Sequence, residues 1–170
     1  MAVRVVYDSM VIVQGALKET GPPSACLHLA ESGRAVLLLS PSIVDKLGDV
    51  LLRDELRRKS PNLTDESDAR FLERIKSFAE LKPEPPSSFS LPRDPKDEPY
   101  LNLAIAAGAY YLISWNERHL NYLMRADTPE GKDFCARYPR LKIVTPVEFL
   151  ETLRDSAVPS RDHPAPPDPR

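Results

Sequence analysis

Apolar residues in this chain gather in short uninterrupted runs, separated by stretches where they recur every third or fourth position. The runs are Val3-Arg4-Val5-Val6-Tyr7, Ala35-Val36-Leu37-Leu38-Leu39, Tyr110-Tyr111-Leu112-Ile113 and Leu141-Lys142-Ile143-Val144. Short aliphatic and β-branched runs of this kind fit strands buried on both faces. Between them, Ala25, Cys26, Leu29 and Ala30 have helical spacing, and Gly33 is a natural C-cap. Ser40-Pro41 opens a helix with Ile43, Val44, Leu47, Val50 and Leu51 on its inner face. Thr64 caps another, with Phe71, Leu72, Ile75 and Phe78 as its stripe. Tyr100 to Ala107 is nearly all small or apolar and reads as a closely packed helix ended by Gly108. A short helix is expected from Glu117 to Met124, and Thr145-Pro146 starts the last one. Met10 to Leu17 is expected to lead into a loop before Gly21-Pro22-Pro23, and Ala126 to Arg140 to be irregular.

Strands alternating with helices imply a parallel sheet covered on both sides, a three-layer α/β/α sandwich. One domain is expected over residues 1–155. The last fifteen residues, 156–170, hold five prolines and almost nothing apolar. They are expected to be disordered or draped over the surface.

Composition narrows the function classes. The chain has 170 residues, 42% hydrophobic and 28% charged, which is ordinary for a globular domain with a sizeable core. A net charge of -2 supplies no global basic field for nucleic acid. Cys26 and Cys135 form neither a CxxC nor a Cys/His cluster, so a disulfide frame or zinc site is not expected. The longest apolar runs fall short of a membrane span, and a cytoplasmic location is the expectation.

In open parallel sheets, ligands bind outside the carboxyl ends of the strands. Three polar residues fall at such an edge: Asp8 after the first strand, Asp97 at the start of the small-residue helix, and Asn116 after the Tyr110 strand. Asp8 and Asp97 can also be read as helix caps, as can Asn116. Carboxylates sharing an edge repel unless a proton or hard cation lies between them. Mg²⁺ or Mn²⁺ suits that role and supports phosphodiester hydrolysis. Trp115 is read as a packed strand-end aromatic in preference to a base-stacking one.

Five segments, in order, resemble the PIN-domain family, especially its branch of toxin components of toxin–antitoxin systems. They are Val5-Val6-Tyr7-Asp8-Ser9-Met10, Leu39-Ser40-Pro41-Ser42-Ile43-Val44-Asp45-Lys46-Leu47, Arg93-Asp94-Pro95-Lys96-Asp97-Glu98-Pro99-Tyr100-Leu101, Tyr110-Tyr111-Leu112-Ile113-Ser114-Trp115-Asn116 and Ile143-Val144-Thr145-Pro146-Val147-Glu148-Phe149-Leu150. The resemblance implies a PIN-like fold and a single-strand ribonuclease using Mg²⁺ or Mn²⁺. Asp8 and Asp97 would be catalytic and metal-binding, Asn116 a further ligand, and Ser9, Met10, Ser40, Lys46, Asp94 and Ser114 would line the site. Two of the family's acids are replaced, one by Lys46 and one by Asn116, and the motif's Asn is Met10. Lys46 is therefore expected in the metal's place, its ammonium bridging Asp8 and Asp97. Single-stranded RNA, an antitoxin protein and a second copy of the chain are the implied partners, with no membrane. The alternative is a PIN fold without catalysis that binds RNA or a protein.

Overall fold

A computed structural model describes residues 2–157. The chain runs β1 (Val3–Tyr7), α1 (Ser9–Leu17), α2 (Pro22–Glu31), β2 (Ala35–Leu39), α3 (Pro41–Leu51), α4 (Asp54–Lys59), α5 (Asp65–Phe78), β3 (Glu80–Leu81), α6 (Glu98–Ala106), β4 (Tyr111–Ile113), α7 (Pro129–Arg137), β5 (Lys142–Val144) and α8 (Pro146–Ala157). Single 3-10 turns lie at Pro95–Asp97 and Asn121–Met124. The Pro-rich stretch from 158 onward lies outside the described residues. Among the described residues, no helix is long and apolar enough to cross a membrane.

The five strands form one parallel sheet in the order β3-β2-β1-β4-β5. Val5 of β1 faces Leu37 on one side and Tyr111 on the other, so the first strand is the middle of the sheet. Its buried residues Val5, Val6 and Tyr7 are fully enclosed, as are Leu37, Leu38, Leu39, Leu112 and Ile113. Helices α2 and α8 pack against one another and against β2 and β4, while α6 packs on β1, β2 and β4 and also meets α3. The three-layer α/β/α sandwich with a central parallel sheet is therefore what the chain adopts. Tyr7, the one polar ring in the middle strand, donates its hydroxyl to the Cys26 carbonyl at 2.8 Å, which offsets the cost of burying it.

Several elements depart from expectation. Met10 to Leu17 is helical, not loop. Asp8 accepts the Val11 amide at 2.9 Å as N-cap, and the helix hides residues on more than one side, so it has no polar face to give it a period. Gly15 lets it lie on α2: a Cβ there would stand 2.6 Å from the Pro23 carbonyl. The segment expected to be irregular contains α7, capped by Thr128 on the Gly131 amide at 3.0 Å and anchored by buried Phe134. Finally, β3 adds a two-residue edge strand pairing with Leu38 and Leu39. The helix expected over 117–124 is instead a set of turns ending in a 3-10 turn.

The order of strands locates the functional edge. The chain moves from β1 outward through β2 and β3, then crosses back to place β4 on β1's other side. Parallel sheets leave a crevice at such a reversal, outside the carboxyl ends of the two strands concerned. Asp8 follows β1 there, and Ser114-Trp115-Asn116 follows β4.

Candidate functional site

The crevice opens into a cavity of about 620 Å³. Asp8, Ser9, Met10, Lys46, Asp94, Asp97 and Asn116 line it, which brings together most of the residues singled out from sequence. Ser40 and Ser114 are fully buried beneath it and are not lining residues. Ser114 accepts the Asn116 amide at 3.0 Å, whereas the Ser40 hydroxyl has no partner among the described residues. Asp49, which shares a helix face with Lys46 three residues on, lines the cavity as well. Sequence reasoning did not place Val50, Arg53, Lys96, Tyr100 and Trp115 at this edge as a set. A signal existed for two of them: Val50 and Arg53 follow Lys46 at helical spacing, four and seven positions on.

Asp8 is 8% exposed. Burial pushes its carboxyl above the usual carboxylate range, and the negative charge of Asp97 adds to that; the Ser114 hydroxyl and the amides of Val11 and Trp115 oppose it. Its cap on α1 and its place at the site are thus held by the same carboxylate. Ser9 continues the arrangement: its amide donates to the Tyr100 hydroxyl at 3.1 Å, and the two hydroxyls are also hydrogen-bonded. Burial drives the Tyr100 phenol well above its ordinary range, so it stays neutral.

Asp97 occupies the N-cap position of α6 but makes no side-chain cap. Its carboxylate instead accepts the Asn116 side-chain amide at 2.7 Å, linking the ends of the α6 approach and β4. Burial raises its carboxyl, with Asp94 adding; Asn116, Lys46 and His119 pull the other way. Asp94 caps the 3-10 turn by accepting the Lys96 amide at 3.2 Å, and lies 3.5 Å from the His119 imidazole. The loop carrying both acids is pinned by Arg93, whose guanidinium stacks 3.9 Å above the Tyr122 ring and donates to the Arg118 carbonyl.

Lys46 reaches into the cavity from α3 but does not bridge Asp8 and Asp97 as expected. Its ammonium donates to the Lys96 main-chain carbonyl and sits 5.1 Å over the Tyr100 ring. Burial lowers its basicity, while Asp97 and then Asp94 restore part of it. The physical reason is competition: the Lys96 carbonyl and the Tyr100 ring face already satisfy the ammonium.

The donor set does not fit a tightly held divalent ion. Four carboxylates line the cavity, but three cations, Lys46, Arg53 and Lys96, line it with them. One oxygen of Asp97 is committed to the Asn116 amide, which presents hydrogens and not a lone pair. Among the described residues, no three His, Cys, Asp or Glu side chains converge closely enough to hold a metal. Mg²⁺ and Mn²⁺ need oxygen donors and gain from net negative charge. What remains is a mixed-charge cleft with a partly apolar lining.

A family model described as PIN domain matches residues 4–118 of this chain. PIN domains are grouped as nucleases, often toxin components, and generally use divalent metals. Among solved structures, the chain is similar to PAE2754 from Pyrobaculum aerophilum, at 15% identity and a TM-score of 0.51, over 91% of this chain and 90% of that one. That likeness concerns the fold. No curated protein matches the chain.

Proposed function

The chain belongs to the PIN domain family, and from that premise we propose that its cleft binds single-stranded RNA without divalent-metal hydrolysis. The observation that carries this reading is the pair of substitutions at the acidic edge. Lys46 brings a cation into the field of Asp97 and Asp94, and Asn116 turns its amide hydrogens onto Asp97. A nuclease of this family needs carboxylates to hold the ion that activates water. Here two carboxylates, Asp8 and Asp97, are left without a third among the described residues close enough to complete such a set. The crevice, however, keeps its position at the strand reversal, and it has cations on its lining that suit a phosphate backbone.

The fold implies what the residues would do for a bound strand. Lys46, Lys96 and Arg53 supply charge to phosphates, and Asp97 holds the Asn116 amide and lies in the field of Lys46. Binding and cleavage separate in one experiment. Labelled single-stranded RNA is titrated with the protein in EDTA, then incubated with Mn²⁺ and run on a denaturing gel, alongside the Asp97→Asn variant. Saturable binding with intact RNA supports the proposal. Mn²⁺-dependent cleavage by wild type that Asp97→Asn abolishes restores the family's nuclease activity and overturns it.

A further inference from the structure

Trp115 is the one tryptophan of the chain, and its placement is unusual for so large an apolar side chain. It is 40% exposed and lines the cavity beside the acidic edge. A hydrogen bond holds it there: the indole Nε1 donates to the Gln14 Oε1 of α1 at 3.0 Å. That bond lies in the ring plane, at the edge of the indole, so it fixes the ring without using its faces. Met10 and Val50 line the same cavity, which gives it an apolar component next to its charged one.

Lys46 supplies the complementary half. An ammonium has three N–H donors. One is directed at the Lys96 carbonyl, and the charge rests over the Tyr100 ring. Donor capacity is left over, in a cavity whose volume of about 620 Å³ matches small organic ligands. A ligand satisfying both halves carries a flat aromatic group and an anionic group and fits within this one cavity. A nucleotide is such a ligand.

Resting on the RNA-binding reading, we propose that this cavity seats one nucleotide of a single-stranded RNA, its base stacked on Trp115 and its phosphate on Lys46. Stacking tolerates any base, because every base has a π face. The cleft therefore selects for unpaired strand, not for sequence: a paired base has no free face to offer. Gln14 acts as a positioning residue, setting the indole plane through its edge.

The single tryptophan makes the test direct, since its fluorescence reports residue 115 alone. An unlabelled RNA oligonucleotide, an abasic oligonucleotide of equal phosphate number and a free nucleoside monophosphate are each titrated into the full chain in EDTA. Affinity for labelled oligonucleotide is followed in parallel by anisotropy for wild type, Trp115→Ala, Trp115→Phe and Lys46→Met. The intact oligonucleotide is expected to quench Trp115 along the anisotropy curve, and the abasic one to bind without quenching. Trp115→Ala should weaken binding about tenfold with an unchanged salt slope, and Trp115→Phe should retain most of the affinity. Lys46→Met should reduce the salt slope by about one phosphate contact. Oligonucleotide binding with no quenching and no loss in Trp115→Ala overturns this inference while leaving RNA binding intact. No oligonucleotide binding at all overturns both. Quenching by the free monophosphate as tight as by the oligonucleotide assigns the site to a free nucleotide, and overturns the strand.

Discussion

Replacing Tyr100 by Phe removes one buried oxygen beside the cavity, and the consequence can be worked from its partners. The ring is 2% exposed on α6, and its hydroxyl accepts the Ser9 amide at 3.1 Å as well as bonding the Ser9 hydroxyl. Ser9 is itself buried and begins α1, where the first amides have no partner within the helix. The Asp8 carboxylate serves the Val11 amide, and Tyr100 serves Ser9. In Tyr100→Phe the packing is kept, but a buried N–H loses its acceptor, at a cost of about 1–3 kcal/mol. The Ser9 hydroxyl can rotate to a neighbour, so it adds little. In a chain of this size that loss lowers Tm by roughly 2–4 °C per kcal/mol. Ser9→Ala is the control. It deletes the hydroxyl but leaves the amide on Tyr100, so it should cost about 0.5–1.5 kcal/mol. Urea unfolding of wild type, both single variants and the double variant gives the coupling between them. A Tyr100→Phe loss smaller than that of Ser9→Ala would refute the reasoning, because the amide would then have another acceptor.

The remaining expectations concern packing, charge and the cation network. Gly15→Ala should destabilise the fold by about 1–3 kcal/mol, because its Cβ meets the Pro23 carbonyl at 2.6 Å and backbone must shift; thermal unfolding measures it. Asp97 has a carboxyl raised by burial, so its contribution to stability is full at low pH and is lost as pH rises through the raised value. Asp97→Asn should therefore be more stable than wild type near neutrality, with the difference vanishing in acid; a constant difference across pH contradicts this. Arg57 ties three segments, donating to the Leu51 carbonyl at 3.0 Å, the Leu63 carbonyl at 2.7 Å and the Asp68 carboxylate. Arg57→Met strands the largely buried Asp68 and should cost about 3 kcal/mol in chemical denaturation.

The sheet was legible in the sequence because its strands are buried on both faces and so read as unbroken apolar runs. Helices with one wet face, such as α3, were legible through their period. What was hidden had no period to show. Helix α1 has an open side made of Met10, Gln14 and Leu17, mostly apolar, so its period does not show, and β3 is two residues long. Helix α7 did carry a start signal, Thr128-Pro129, the same pair of residue types that opens α8 at Thr145-Pro146. Its stripe was too weak to second that signal.

At the site, residue identity was legible and orientation was not. Asp8 and Asn116 could be placed at one edge from strand ends and Asp97 from a helix start, while Lys46 came to it through the resemblance to the PIN-domain family. The sequence does not say that Asn116 turns its amide toward Asp97, or that Lys46 settles on the Lys96 carbonyl. Those choices depend on the loop from Arg93 to Asp97, whose shape is fixed by tertiary contacts with Tyr122 and Arg118. The exposure of Trp115 was not legible for a related reason: Gln14, its hydrogen-bond partner, is far away in sequence.

The central claim is that this PIN cleft holds RNA through its own cations in place of a metal. The most direct measurement is the anisotropy of a labelled single-stranded RNA titrated with the protein in EDTA and again in Mn²⁺. Equal, salt-sensitive affinity in both is the predicted result. Binding that appears only when Mn²⁺ is added would contradict it.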